Sequence, residues 1–479
     1  MSPRKQPNSL FKLCVKSCIS LINSACSVIE KTYPEDEYYM CEQALMLKCH
    51  LMTLLPARLF DVLCAHRGSV PYRGDPRAPL LVLTHPRLAT FRKADLDHGV
   101  AQRCWLQLLP ALTQLVVLDL KLICTDEILQ VVGATCHLLE EINIVSRVDI
   151  CKSPFNASAL IRNVSDAGLA HVARLRRLRV VALDPPRNER ARRVGRCVSP
   201  RGLLALAAAL PALEDLRVES CDLGSTLAAA ERPLPPLALR RINCHSASAD
   251  GVRKLIKICP HLRELSVTHL SEHNKDPILE EIAASDLRLQ RLDLSFFSFS
   301  AVMQRLLAAR GAMLTHFSLW ELDSALTLPA LEALGAACPR LAHLTLITQS
   351  RCLAVPRYYR RERPMFTELR TLTIGNENFN IRDILTFFLS CTRQLHKLVL
   401  KYQTKVNIDD TIVYILERGY LSNISYMWLD CTLEVSPAVV RRLVDRCADL
   451  RELTVDVPDL ADVQRHIHDN NLDLKLGSY

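Results

Sequence analysis

The sequence predicts an α/β fold, a leucine-rich-repeat solenoid of the cysteine-containing type, preceded by a small all-helical N-terminal box. Three observations predict it. A Leu-x-x-Leu-x-Leu frame, clearest in Leu115-Val-Val-Leu118-Asp-Leu120, returns at Leu139, Leu178, Leu213, Leu239, Leu262, Leu289, Leu314, Leu341, Leu369, Leu395, Ile424 and Leu450, after a degenerate copy at Leu88. Most steps between copies lie in or near the roughly 20–29 residues of leucine-rich repeats. Cys136, Cys259, Cys338 and Cys447 each stand three residues before the first leucine of a copy, and Cys391 does so with one residue more.

Each copy reads as a strand, and the stretches between them carry helical spacing, as in Asp126–Val132 and Ala438–Val444. One strand and one helix cannot bury their own apolar sides, so neighbouring repeats must stack to be stable. The cysteines fit that frame as small thiols closing each helix against the core, not as nucleophiles or metal ligands.

The chain opens on Ser9-Leu10-Phe11-Lys12-Leu13-Cys14-Val15-Lys16-Ser17-Cys18-Ile19. Leu10, Cys14, Cys18, Leu21 or Ile22, Ala25 and Ile29 recur at steps of three or four and predict one apolar stripe on a helix. Pro34 and the acidic Glu35-Asp36-Glu37 end it, and the Leu- and Met-rich stretch from Met40 to Leu55 predicts a second helix. Pro56 suits the first position of a short third helix carrying Leu59, Phe60 and Leu63. Residues 1–64 are thus read as a helical box, 65–79 as a polar, Pro- and Gly-bearing linker, and 80–479 as the repeats.

Two steps between copies are long. The 39-residue step from Leu139 to Leu178 holds Arg147–Arg162, and the 35-residue step from Leu178 to Leu213 holds an arginine-rich run from Pro185 to Arg196. A third basic stretch, within 351–364, sets Tyr358 and Tyr359 among arginines that include Arg360. Insertions in such arrays form loops on one edge, where they either bind or are merely solvated.

The totals exclude several classes. With 49% hydrophobic and 23% charged residues the composition is that of a folded globular chain. There is no signal-peptide pattern and no unbroken run of eighteen apolar residues, so no membrane role is expected. Nineteen cysteines without Cys-x-x-Cys pairs predict buried thiols in a reducing compartment, the cytoplasm, with Arg187–Arg196 as a nuclear import pattern. A formal charge of +9 over this length does not point to nucleic acid. No P-loop, Gly-x-Gly-x-x-Gly or His-Glu-x-x-His is present, and His466-Ile467-His468 has the wrong spacing for a metal site on a helix. No catalytic residue, cofactor or metal is expected.

Function is therefore expected on the outward strand positions of the repeats. Most of these are small or polar, among them Asp119, Asn143, Ser266, Asp293, Thr345 and Thr373. Trp320 and Trp428 stand out, because an exposed indole is unfavourable in water and tryptophan concentrates at binding hot spots. Arg217 and His245 join them as candidate substrate-binding residues, with Tyr358 and Arg360 of the basic loop. Mixed charge on this face favours a protein ligand over a phosphate backbone.

The spelling Leu10-x-x-Leu13-Cys14-x-x-x-Cys18-Ile19 resembles the elongin-B/C-binding box of von Hippel–Lindau and SOCS-box proteins. Leu55-Pro56-Ala57-Arg58-Leu59 resembles the box that selects a cullin, and Arg58 in place of a proline points to cullin-2 over cullin-5. Joined to cysteine-type leucine-rich repeats, the order is similar to that of the zyg-eleven/Zer-one family of cullin-2 substrate receptors, though without that family's armadillo-like domain. The resemblance implies a non-catalytic receptor whose Leu10, Leu13, Cys14, Cys18 and Ile19 meet elongin C, partner of elongin B. It implies further that Leu55, Pro56 and Leu59 meet cullin-2, and that the repeats hold a protein substrate for ubiquitination. Two alternatives stay open. Leu55-Pro56 could begin an F-box that binds Skp1 and cullin-1, although that needs two further helices where 65–79 shows loop residues. Or the chain is a scaffold without a ligase, its first helix a cap on the repeats.

Overall fold

A computed structural model describes residues 10–33, 37–70, 72–75, 77–92, 102–121, 123–145, 164–183, 198–218, 223–230, 234–245, 248–269, 275–322, 326–348, 365–376, 381–392, 394–402, 405–456, 460–470 and 472–477. They fall into two compact bodies, Asn8–Asn243 with Lys257–His261, and Cys244–Ile256 with Leu262–Tyr479.

The first body begins with α1 (Leu10–Thr32), α2 (Glu37–Leu54), α3 (Ala57–His66) and α4 (Arg77–Leu83). Val15, Ile19, Ile22 and Cys26 of α1 meet Ala44, Leu63, Tyr72, Ala78, Val82 and Leu83 in one buried cluster. Their steps of four, three and four follow the helical period of 3.6 residues. The expected stripe of Leu10, Cys14, Cys18 and Ile22 does not, because each step of four overshoots a turn by about 40°. It therefore drifts from the exposed Leu10 and Cys14 through half-buried Cys18 to buried Ile22. By length and composition α1 could span a membrane, although its apolar residues form no unbroken run; here one of its faces packs on three other helices. Pro56 stands one residue ahead of the first turn of α3, in extended backbone with φ −61° and ψ 146°.

The described part of the expected linker, 65–70, 72–75 and 77–79, contributes Val70, Tyr72 and Ala78 to this cluster. Arg67 is buried, donating to the Cys64 carbonyl at 2.8 Å, with its guanidinium 4.6 Å from the ring centre of Phe91. Tyr72 is buried and its hydroxyl donates to the Glu30 carboxylate; burial, then that carboxylate, pushes the phenol pKa up. Pro79, read as a loop residue, lies in the first turn of α4, where a missing N–H costs no helical hydrogen bond. Polar composition hid a segment whose Val70, Tyr72 and Ala78 pack on the cluster.

The repeats follow. In the first body β1 (Thr90–Arg92), β2 (Val117–Asp119), β3 (Glu141–Asn143), β4 (Val180–Ala182), β5 (Asp215–Arg217) and the start of β6 (Arg241–His245) lie in that order in a parallel ladder. Phe91, Leu118, Ile142, Val181 and Leu216 stand in register and face the helices as one buried row. In the second body the ladder runs β7 (Glu264–Thr268), β8 (Arg291–Ser295), β9 (His316–Leu322), β10 (His343–Thr348), β11 (Thr371–Asn376) and β12 (Lys397–Tyr402). It continues past β13 (Val406–Asn407), which pairs aside with β15 (Leu433–Glu434), to β14 (Tyr426–Leu429), β16 (Glu452–Thr454) and β17 (Lys475–Gly477). The matching buried row is Leu265, Leu292, Phe317, Leu344, Leu372, Leu398, Met427 and Leu453, and it ends on the half-buried Leu476. Each such side chain contributes about 1.5–3 kcal/mol by leaving water. These are leucine-rich repeats, as the frame predicts.

β17 is a strand that the frame missed. Its Leu476 pairs with Leu453, but three residues earlier the first frame position is Asp473 and not leucine. The cysteines are where the frame puts them. Cys136, Cys338 and Cys447 cap the C-termini of their helices, their amides donating to the carbonyl four residues back at 2.9–3.0 Å. With Cys259 and Cys391 they are buried, and burial pushes the thiols of Cys259, Cys338 and Cys447 up to about 12.

Candidate functional site

Two surfaces carry the residues singled out by the sequence, one in each body. On the first, α1 is anchored by one face and open on the other. Leu10 is 77% exposed and Leu21 71%, and Phe11, Leu13, Cys14 and Val28 are exposed with them. Cys18 is half-buried against the cluster, and Ile19, expected among the partner contacts, is fully buried. Ile19 is thus a core residue of the free protein, because it follows the 3.6-residue period of the packed face. Leu55 and Leu59 are half-buried against the same cluster, while Pro56 and Arg58 are exposed beside the 63% exposed Leu54. The Leu59 amide donates to the Pro56 carbonyl at 2.9 Å, which ties the proline to the first turn of α3.

The second surface is the strand face turned away from the helices in the second body. Strand alternation places its residues in rows across the ladder. One row contains Arg291, His316, His343, Lys397, Tyr426, Glu452 and Lys475. Most of its charges are engaged within the face. Arg291 donates to Asp293 at 2.7 Å, Lys475 to Glu452 at 3.0 Å, and the Lys397 ammonium sits 4.1 Å from the ring centre of Tyr426. His316 and His343 stack in parallel, ring centres 4.0 Å apart, and burial lowers the pKa of both.

Trp320 of β9 and Trp428 of β14, both half-buried, converge on one cation. The Lys401 ammonium of β12 lies 5.5 Å from the ring centre of Trp320 and 5.8 Å from that of Trp428. Two strands separate β9 from β12, and the gap is crossed because Gly375 is next to Lys401 in register. A Cβ at 375 would stand 3.2 Å from both Ile347 Cγ1 and Lys401 Cβ, tighter than an ordinary contact, so the neighbours would have to give slightly. Lys401 was legible as an outward position but not as part of a site; the cue was the glycine at the matching position of the preceding strand.

The other expected contacts separate from this group. Arg217, in the first body, pairs with Asp215 at 2.6 Å, and His245 ends β6 half-exposed. Tyr358 and Arg360, with the 351–364 loop, lie outside the described residues, as do residues 185–197 of the basic insert expected over 185–200. His466 bonds Asp445 at 2.9 Å, and among the described residues no group of three or more His, Cys, Asp or Glu could hold a metal ion.

The described geometry defines a leucine-rich-repeat protein with a helical N-terminal box. No family model and no curated protein matches the sequence. Among solved structures, a chain of the yeast Rad7 and Elc1 complex is similar at 12% identity and a TM-score of 0.41, with 98% of each chain covered. The leucine-rich-repeat protein LIC12759 of Leptospira interrogans is similar at 13% and 0.31, over 82% of this chain and 96% of that one. A chain of the TLR13–ssRNA13 complex is similar at 13% and 0.31, over 78% of this chain and 50% of that one.

Proposed function

We propose that this chain is the substrate-recognition subunit of a cullin–RING ubiquitin ligase, docking elongin C and, beside it, cullin-2 through the helical box. The observation that carries the reading is the two-sidedness of α1. Val15, Ile19, Ile22 and Cys26 fix it to the body, while Leu10, Leu13 and Cys14 project on the other side. A helix held this way presents apolar anchors to a partner's groove without first having to fold. Of the stretch that would meet cullin-2, Pro56 is exposed, with Arg58, while Leu55 and Leu59 are half-buried. The repeats hold the substrate, and the protein acts by proximity, raising the local concentration of substrate lysines without making or breaking a bond.

A second reading, an F-box-type receptor for Skp1 and cullin-1, gains from α4, a helix where the sequence showed only loop residues. One experiment tests both. Tagged full-length protein is captured from cell lysate and probed for elongin C, cullin-2 and Skp1. Elongin C with cullin-2 supports the first reading, Skp1 the second, and capture of neither overturns both.

A further inference from the structure

We infer that Trp320, Lys401 and Trp428 form a receptor point for a single carboxylate carried by an extended peptide between apolar residues. The inference deepens the proposed role of the repeats and rests on their strand face being where substrate binds.

The argument begins with charge. On this face Arg291 and Lys475 are paired with Asp293 and Glu452, and Lys397 rests on the single Tyr426 ring. Lys401 differs: among the described residues no carboxylate accepts from it, and its contacts are two indole rings. An ammonium within about 6 Å of an aromatic face is held electrostatically, yet none of its N–H donors is used in a hydrogen bond by that contact. Lys401 is therefore held in place while no described residue takes up its donors. The flanking indoles offer apolar area to the chain neighbours of an anion bound there.

The same geometry weighs against a multiply charged ligand. Asp430, whose amide donates to the Leu400 carbonyl at 3.0 Å, follows β14 close to Lys401 in the ladder, and its negative charge opposes a polyphosphate more strongly than a single carboxylate. The carboxylate could belong to an Asp or Glu side chain or to a chain terminus.

The test pans immobilised full-length protein with random peptide libraries displayed either internally or with a free C-terminus. Enrichment of Asp or Glu at one fixed position between apolar residues is expected if a side chain supplies the carboxylate. Binders found only with a free C-terminus are expected if the terminus does. Either class should bind Lys401→Met about tenfold or more weakly, as expected for loss of a charge-assisted bond, and Lys401→Arg closer to wild type. Unchanged thermal melting of both variants shows that the repeats remain folded. Binders without a carboxylate at a fixed position, equal binding by Lys401→Met, or no binders at all would overturn the inference. Elongin C capture measured on the same preparations reads the ligase proposal separately, since neither Lys401 variant touches the helical box.

Discussion

Ser165 is bound twice by Asp126: its amide donates to Oδ1 at 2.8 Å and its hydroxyl to Oδ2 at 2.5 Å. Asp126 is the first residue of helix Asp126–Thr135, and Ser165 caps the next helix, Asp166–Val172, accepting from the Ala167 amide. One carboxylate therefore fastens consecutive repeats across the long 139–178 step. The device recurs in Asp166–Ser199, Asp276–Ser300 and Asp409–Ser436. Gly202 makes room for one of these carboxylates, since a Cβ there would run into Asp166. Asp126→Ala and Ser165→Ala should each lower unfolding stability by about 1–2 kcal/mol, the usual loss of an N-cap and its bonds. In urea unfolding the double variant should lose less than the sum of the two. Strict additivity would mean that the pair contributes nothing as a unit.

Cysteine alkylation maps the two classes of thiol and reports on docking. Cys136, Cys259, Cys338 and Cys447 are buried, and the thiols of the last three are pushed up to about 12 by burial. The thiolate is the reactive form, so iodoacetamide near neutral pH should leave these unlabelled until the chain unfolds. Cys14 and Cys49 are exposed and should be labelled in the native protein. Mass spectrometry after brief labelling would show this. Added elongin C should protect Cys14 and leave Cys49 labelled, whereas equal labelling of Cys14 with and without it would sink the assignment of that face.

The repeats were legible because each strand must bury its frame leucines, and a requirement repeated at nearly constant spacing survives local noise. β17 escaped because Asp473 fills the leading frame position while Leu472 and Leu474 carry the burial. The helical box was legible as helices but not in orientation. Leu10 and Val15 are equally apolar, and only packing against Ala44, Leu63 and Val82 decides which face turns inward. Tyr72 and Arg67 were hidden for the opposite reason, since polar-looking residues are buried there by specific partners, Glu30 and Phe91. Trp320 and Trp428 were readable from alternation alone. Their convergence on Lys401 was not, because it depends on a glycine one strand away.

Ile19 and Leu10 lie on the same helix and should fail in different ways. Ile19 is fully buried in the four-helix cluster, so Ile19→Ala should cost about 2–5 kcal/mol of stability. Leu10 is 77% exposed, so Leu10→Ala should leave the melting temperature of the free protein unchanged. Combined with Cys14→Arg it should abolish elongin C co-purification, as loss of a central anchor does at an interface. Co-purification that survives the double variant in a fully folded protein would remove Leu10 and Cys14 from the docking face.

Acid should weaken the second body through the stacked histidines. Burial lowers the pKa of His316, with Arg291 adding to the effect and Asp293 opposing it. Burial also lowers His343, assisted by His316 and by Arg291, Arg370 and Lys397. Both folded-state values lie below the ordinary 6.5, so the unfolded chain takes up protons first as the pH falls. The stabilising contribution is intact above the ordinary value, declines as the pH drops through it, and is gone below the folded-state values. Melting temperature should therefore fall between about pH 7.5 and 5, the range in which histidine changes charge. His316→Gln with His343→Gln should flatten part of that slope, because glutamine keeps a polar side chain on the face and cannot protonate. Carboxylates titrate at lower pH and are common to both proteins, so the difference between the two profiles isolates the pair. Parallel profiles across this range would show that the stacked rings ionise as freely as they do in the unfolded chain.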